Sequence, residues 1–370
     1  NAGDGVNFDS LEKRTTTSTS TGSQGIFGGS SKSSTTTTVE QLKSGLTVGG
    51  NLAAKSGKDI TFAATDVKVG GDAALDAAGA VNIVSKANTT KTTETSKESG
   101  LGVGGGLWGE TTTTRTQTVS KNVASSFAVG GDASIKAGKD VTLQGSSLDV
   151  GGDADIKASN INVLAGLDKV ETHTETTTTT FLRVTDGKGS ADASAGAVAK
   201  GDAGKTGLSG NVGASAQASA EGSGGLELMA NEKTVTDSLS ARNVASTIKV
   251  GGNTRLSADG TVKVQGSSID TAGNTTIQAR DVEVLAGRDV DISVTTSDKT
   301  SIGLMASSSN SAGAGASANG SVGVGGVAVG AGVGASARSE SSVNFLESTQ
   351  SKETSLEIRN QAAGIKSGGN

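Results

Sequence analysis

The sequence predicts an all-β protein: a parallel β-helix with coils of about 21 residues, from which long Thr/Gly-rich β-hairpins or loops project. Three observations point there. A 21-residue unit recurs six times with matching chemistry at several positions. Within each unit short apolar runs alternate with polar residues, the period of a strand with one buried face. Aromatic residues make up only 2% of the chain, which argues against an ordinary compact core and for a thin one of small side chains.

The units arrive as three tandem pairs, at 46–87, 127–168 and 248–294. LTVGGNLAAKSGKDITFAATD begins at Leu46 and VKVGGDAALDAAGAVNIVSKA at Val67. FAVGGDASIKAGKDVTLQGSS begins at Phe127 and LDVGGDADIKASNINVLAGLD at Leu148. IKVGGNTRLSADGTVKVQGSS begins at Ile248 and IDTAGNTTIQARDVEVLAGRD at Ile269. Stacked, they form apolar ladders. One reads Leu46, Val67, Phe127, Leu148, Ile248, Ile269, and another Val48, Val69, Val129, Val150, Val250, Thr271. A third reads Ala54, Leu75, Ile135, Ile156, Leu256, Ile277. The closing strand supplies Ile60, Val81, Val141, Ile161, Val262, Val282, with Phe62, Ile83, Leu143, Val163, Val264, Val284 two residues on. No unit can bury a face alone, so coils must stack, and six would make a rod roughly 29 Å long at the strand spacing. Glycine pairs inside five of the six units oppose an α-helical reading.

Each unit turns at Gly-Gly-Asx: Gly49-Gly50-Asn51, Gly70-Gly71-Asp72, Gly130-Gly131-Asp132, Gly151-Gly152-Asp153 and Gly251-Gly252-Asn253. The sixth copy, Ala272-Gly273-Asn274, keeps part of this pattern. Glycine there is expected to supply positive φ, and Asx to bond its own backbone two residues on.

Four excursions interrupt the period, at 9–45, 88–126, 169–247 and 295–354. Each has Thr-rich limbs around a Gly-rich middle, as in TTKTTETSKESGLGVGGGLWGETTTTRTQT. Threonine favours extended backbone, so the layout reads as projecting hairpins; low hydrophobicity also permits disorder. Leu101, Val103, Leu107 and Trp108 sit at one tip, and Val322, Val324, Val327, Val329 and Val333 lie among Gly and Ala in the last excursion. Paired strands of this kind could enter a bilayer, and these nine residues are the candidates for membrane interaction.

No catalytic or metal site is expected and no cofactor is implied. His173 is the sole histidine and Cys is absent, so a metal or nucleophile site would rest on carboxylates alone. The ladder Asn51, Asp72, Asp132, Asp153, Asn253, Asn274 resembles stacked oxygen ligands, but calcium β-rolls place Gly-Gly-x-Gly-x-Asp at nonapeptide spacing. Thr-x-Thr arrays suggest ice binding, yet the threonines fall outside the coils. A net charge of −5 with scattered Lys and Arg excludes a nucleic-acid footprint. No stretch approaches the roughly 20 apolar residues of a membrane-spanning helix.

The two ends read as torn edges of a longer array. Ala2–Phe8 matches the closing half of a coil, and Ser355-Leu356-Glu357-Ile358 reads as the opening strand of another. Residues 1–370 are therefore expected to be an internal segment with flanking repeats of the same chain.

The units VGGDASIKAGKDVTLQGSSLDVGGDADIKA resemble the haemagglutinin repeats of two-partner-secreted exoproteins of Gram-negative bacteria. The Thr/Ser limbs around Gly-rich middles resemble the second repeat region of filamentous haemagglutinin-like adhesins and contact-dependent growth inhibition effectors. The resemblance implies a right-handed β-helix that is secreted to the cell surface through an outer-membrane transporter partner and is not an enzyme. In the growth-inhibition effectors it implies engagement of the target-cell outer membrane or a surface receptor, and help in delivering a C-terminal toxin. In adhesins it implies a fibre stalk that binds host or neighbouring cells. A polysaccharide-active β-helix enzyme would instead need a carboxylate cluster assembled in a groove.

Overall fold

The computed structural model describes the backbone of residues 2–204, 207–323 and 326–369, and side chains apart from those of 185–225 and 305–344. The chain opens with β1 (Val6–Asp9) and a hairpin, β2 (Leu11–Gly25) and β3 (Gly28–Leu42). Two coils follow: β4 (Ser44–Val48), β5 (Leu52–Ser56), β6 (Ile60–Ala63), then β7 (Thr65–Val69), β8 (Ala73–Ala77), β9 (Val81–Val84). The second hairpin is β10 (Lys86–Gly100) and β11 (Trp108–Val123), with a 3-10 turn at Val103–Gly105. The next coils are β12 (Ser126–Val129), β13 (Ala133–Ala137), β14 (Asp140–Gln144) and β15 (Ser147–Val150), β16 (Ala154–Ala158), β17 (Asn160–Leu164). A long hairpin, β18 (Gly166–Gly204) and β19 (Gly207–Val244), precedes the last coils. These are β20 (Thr247–Val250), β21 (Thr254–Ala258), β22 (Thr261–Gln265) and β23 (Ser268–Thr271), β24 (Thr275–Gln278), β25 (Asp281–Leu285). The fourth hairpin, β26 (Gly287–Gly323) and β27 (Gly326–Gln361), leads to β28 (Gly364–Ser367).

The three strands of each coil join three parallel sheets, which is the architecture of a parallel β-helix. Like pairs with like: Leu46 with Val67, Phe127 with Leu148, Ile135 with Ile156, and Ile161 with Val262. Alternate residues of the strands point inward into one continuous core of Ile, Val, Leu and Ala. Phe8 stacks on Phe62, and Phe62 meets Phe127 edge to face. Thr271, where other coils carry Val, lies buried with its hydroxyl 2.6 Å from that of Thr254. Val282 and Val284 continue the closing-strand ladders, but β25 is the outermost strand of its sheet and leaves them exposed.

Two polar ladders run along the coil corners. Asn51 Oδ1 accepts from the backbone N–H of Asp72, Asp72 from that of Asp132, Asp132 from that of Asp153, Asp153 from that of Asn253 and Asn253 from that of Asn274. The Asx side chains thus bond the next coil, in place of the expected local bond two residues on. The turn glycines likewise do not sit at positive φ. A Cβ on Gly70 would fall on the carbonyl of Gly49, and one on Gly151 on the carbonyl of Gly130, so glycine is required by the closeness of stacked turns. The second ladder is buried. Ser125 accepts from Thr65 N, Ser146 from Ser125 N, Ser246 from Ser146 N and Ser267 from Ser246 N, at 3.0–3.2 Å.

Every hairpin leaves the helix at this serine corner, between a closing and an opening strand, after every second coil. The hairpins pair edge to edge as one antiparallel sheet, β2-β3-β10-β11-β18-β19-β26-β27. Two coils rise about 9.6 Å, and a two-stranded hairpin is about 9.6 Å wide, so the hairpins tile without gap or clash. At the roots an Asx carboxyl or amide oxygen replaces the first ladder bond. Asn88 accepts from Gln41 N, Asp168 from Asn122 N and Asp289 from Asn243 N. The sheet also corrects one expectation. Ser355–Ile358 is not a coil strand, because Ile358 pairs with Val290 inside the fourth hairpin; the next coil opens where Ile365 pairs with Ile269.

Two outcomes follow. Ser146→Ala strands the buried N–H of Ser125 and should lower stability by about 1–3 kcal/mol in denaturant unfolding. Deleting one coil, residues 126–146, should keep the β-helix signature in circular dichroism while breaking the β11–β18 pairing. Thr114→Cys and Glu175→Cys, cross-strand neighbours in the intact chain, should then no longer oxidise to a disulfide.

Candidate functional site

The lower part of the hairpin sheet is a polar stem. Thr, Ser and charged side chains predominate in it, with Val, Ile and Leu interspersed, as at Val119, Val170, Leu239, Ile292 and Leu356. Hydroxyl pairs such as Thr36–Thr92, Thr93–Thr116, Thr113–Thr176 and Thr236–Thr295 tie the strands together. His173 lies here, its Nδ1 2.6 Å from Asp237 Oδ1, both exposed. Among the described residues no group of three or more acidic, His or Cys side chains is placed to hold a metal ion.

The stem ends at one level across all eight strands. A transverse row runs Gly25, Gly28, Gly100, Gly109, Thr180, Ala230, Ser301, Glu347. The two short hairpins turn at this level, while the two long ones continue past it. Immediately beside the row runs a second one, Trp108, Phe181, Met229, Ile302, Leu346, one large apolar side chain per strand and all on one face. All five are exposed, Trp108 at 39% and Leu346 at 65%. Ile26 and Phe27 at the first tip and Leu101 and Leu107 at the second are exposed at the same level. Backbone bonds tie these tips together: Leu101 N donates to Phe27 O and Leu107 N to Leu182 O. The second tip folds back over its neighbour. A Cβ on Gly104, at φ 69°, would strike the methyl groups of Thr178 and Thr180.

Strand registers shift together at this level, between Thr185 and Lys188, between Glu227 and Met229, and between Ile302 and Met305. Bulges break alternation, and Leu182 adopts φ 52°. Phe181 and Leu182, and Leu228 and Met229, are in consequence exposed as adjacent pairs, and Val184, Leu226, Leu304 and Phe345 extend the patch. The result is a band of bulky apolar side chains of the kind that marks an interaction surface.

Glu227 is buried beside this band, at 1% exposure. Arg183 Nε donates to it at 2.6 Å and Lys299 Nζ at 2.8 Å, so the cluster staples the third hairpin to the fourth. Burial alone would push its pKa up, but the hydrogen bonds and charges of Arg183 and Lys299 outweigh this and hold it below the ordinary glutamate value.

Four of the candidates drawn from the sequence, Leu101, Val103, Leu107 and Trp108, fall in or beside the band, with Val103 half-buried in the 3-10 turn. The side chains of Val322, Val327, Val329 and Val333, and all of Val324, lie outside the described residues. Sequence reasoning missed the rest of the band although a signal exists. Bulky doublets close the limbs: Ile26-Phe27, Leu107-Trp108, Phe181-Leu182, Leu228-Met229, Leu304-Met305 and Phe345-Leu346.

A stacked coil core with a regularly inserted hairpin sheet defines a β-helical repeat protein whose distinctive surface is carried by the insertions. The hemagglutinin repeat family matches residues 26–113, 108–238 and 229–370, and the chain belongs to that family. Each match takes in one coil pair with a limb on either side. Membership makes the chain a segment of a filamentous haemagglutinin-like, adhesin-type exoprotein, of a class that is secreted or held at the cell surface and exported with a transporter partner. No curated protein matches the chain.

The ionic cluster generates a pH prediction. With the folded pKa depressed, the stabilisation from Glu227 is complete above the unfolded value of about 4.5 and is lost as pH falls through the lower folded value. Fluorescence of Trp108, the sole Trp, should therefore show a transition below pH 4.5 that is absent in Glu227→Gln.

Proposed function

We propose that this segment engages the outer membrane of a target cell, with the apolar band at the lipid interface and the long hairpins above it entering the bilayer. The observation that carries the reading is the band itself: bulky side chains gathered at one level between a Thr-rich stem and strands rich in Gly, Ala and Val. Aromatic side chains at such a transition, here Trp108 and Phe181 with Phe27 and Phe345 nearby, match the aromatic girdles that flank the apolar band of membrane β-structure. The stem would hold the band off the β-helix at a set height, and the role is positional, with no chemistry of its own. In an exoprotein carrying a C-terminal toxin, this contact serves toxin delivery.

Flotation with phospholipid vesicles tests the reading. The intact chain should co-float. A variant carrying Trp108→Ser, Phe181→Ser, Met229→Ser and Ile302→Ser should lose vesicle affinity by at least about 100-fold, since each buried side chain of this size contributes about 1.5–3 kcal/mol. Circular dichroism checks that both keep the β-helix. Equal flotation of the two would overturn the reading. Binding of the intact chain to cells but not to vesicles would turn it toward an adhesin that recognises a protein or glycan.

A further inference from the structure

The outer face of the opening-strand sheet, β4-β7-β12-β15-β20-β23-β28, has no part in the membrane reading. One outward row runs along it, one residue per coil: Lys68, Ala128, Asp149, Lys249, Asp270, Lys366, each in register with the next. Four successive coils thus carry charges of alternating sign, about 4.8 Å apart. On one side the row is flanked by the small residues Ser126, Ser147, Thr247 and Ser268. On the other it borders an open groove over the turn glycines Gly130, Gly151 and Gly251. Lys68, Lys249 and Lys366 are exposed.

Opposite charges on neighbouring strands ordinarily attract each other within a sheet. Elsewhere on the rod they do. Lys55 meets Asp76 at 3.1 Å and Lys263 meets Glu283 at 3.6 Å, each across one coil step. In this row, among the described residues, Asp149, Lys249 and Lys366 form no ion pair, and Asp270 takes one side-chain hydrogen bond, from Ser268 at 3.2 Å. The charges are left to something outside the chain, and their spacing says what fits. An extended strand offers same-face side chains about 6.8 Å apart and slips out of phase after one charge. Another stack of coils offers one residue per 4.8 Å or so and stays in phase along its length.

We infer that this face docks against the same face of a second copy of the chain, with the two β-helices side by side and antiparallel. A two-fold axis along the strand direction, midway between Lys249 and Asp270, reverses the row. Asp149 then meets the partner's Lys366, and Lys249 meets the partner's Asp270. Symmetry repeats both contacts, so four pairs of opposite sign form. The small residues beside the row let the two sheets approach to about 10 Å, the ordinary distance between packed sheets. Parallel docking in register would set like charges against each other. The axis leaves the strand direction unchanged, so the serine corners of both copies, from which the hairpins leave, lie on the same side of the pair. Exposed ion pairs are weak and screened by salt, so the dimer is a salt-sensitive one. This pairing is independent of the membrane reading.

The test is a charge exchange on the full chain in solution. Sedimentation equilibrium at low ionic strength, with chain concentrations up to about 1 mM, should show a monomer–dimer equilibrium that moves to monomer in roughly 0.5 M salt. Lys249→Asp alone, or Asp270→Lys alone, puts two like-charge contacts into the dimer by symmetry and should weaken it at least about tenfold. The double variant restores all four opposite pairs across the antiparallel interface while breaking the alternation within each chain, and should dimerise like the unsubstituted protein. A parallel pairing staggered by one coil would gain two like-charge contacts in that variant and stay dissociated. A second arm leaves every charge in place and uses the absence of natural Cys. Ser268→Cys, beside the axis, should be joined to its symmetry mate by a bismaleimide spanning about 10 Å, whereas Ala74→Cys, outward on β8, should not. A chain that stays monomeric at low ionic strength, a double variant as weak as the single ones, or equal cross-linking at the two sites would each overturn the pairing.

Discussion

The constraint on which the rest of the structure depends is a match of two lengths. Parallel coils and antiparallel hairpin strands share one spacing of about 4.8 Å, set by the backbone hydrogen bond. A hairpin is two strands wide, so hairpins that leave the same corner can form an unbroken sheet only if two coils separate them. One coil would force them to overlap, and three would leave a gap one strand wide. The chain places its insertions after every second coil, and eight strands join as a consequence.

That match must be held at the corner where the two sheet systems meet, and the corner is where the buried polar residues concentrate. The serine ladder fixes the coil rise by tying each opening strand to the next. The Asx residues at the hairpin roots carry the bonding across to the neighbouring hairpin where the strands diverge. Asn122 and Asn243 also reach back, their side-chain amides donating to the carbonyls of Gly145 and Gly266, two glycines at φ 54°. Every one of these groups would be costly to leave unpaired, so register errors of a single coil are penalised along the whole stack. The same registration carries up the stem. Because hairpin roots are level, Trp108 comes to lie beside Phe181 and Phe181 beside Met229, and residues far apart in the chain assemble into one apolar band.

Much of the β-helix was legible. The ladder Ile60, Val81, Val141, Ile161, Val262, Val282 read from the sequence is the ladder of the closing-strand sheet, residue for residue. It was legible because stacked coils put chemically equivalent positions in contact, and the repeat itself is then the contact map. The turn glycines were visible as a pattern but not as a cause. Positive φ is a local property that a sequence motif suggests, whereas the approach of Gly70 to Gly49 exists only once two coils are stacked. The apolar doublets were equally visible and equally mute. Nothing local says that Phe181-Leu182 and Leu228-Met229 stand at the same height, because their bulges and cross-strand partners belong to the assembled sheet.

The sequence by itself determined the coil, its repeat and its inward-facing residues, since the period of a strand and the recurrence of a unit are properties of the chain read in one dimension. It also placed the insertions and made them extended, through threonine. Only the tertiary structure decided that the insertions would pair with one another, that the turns would need glycine for proximity, and that the apolar residues would form a band above a polar stem. The reason is physical. Those features depend on the height at which separate segments meet, and height is set by the stacking of backbone hydrogen bonds, which no single segment contains.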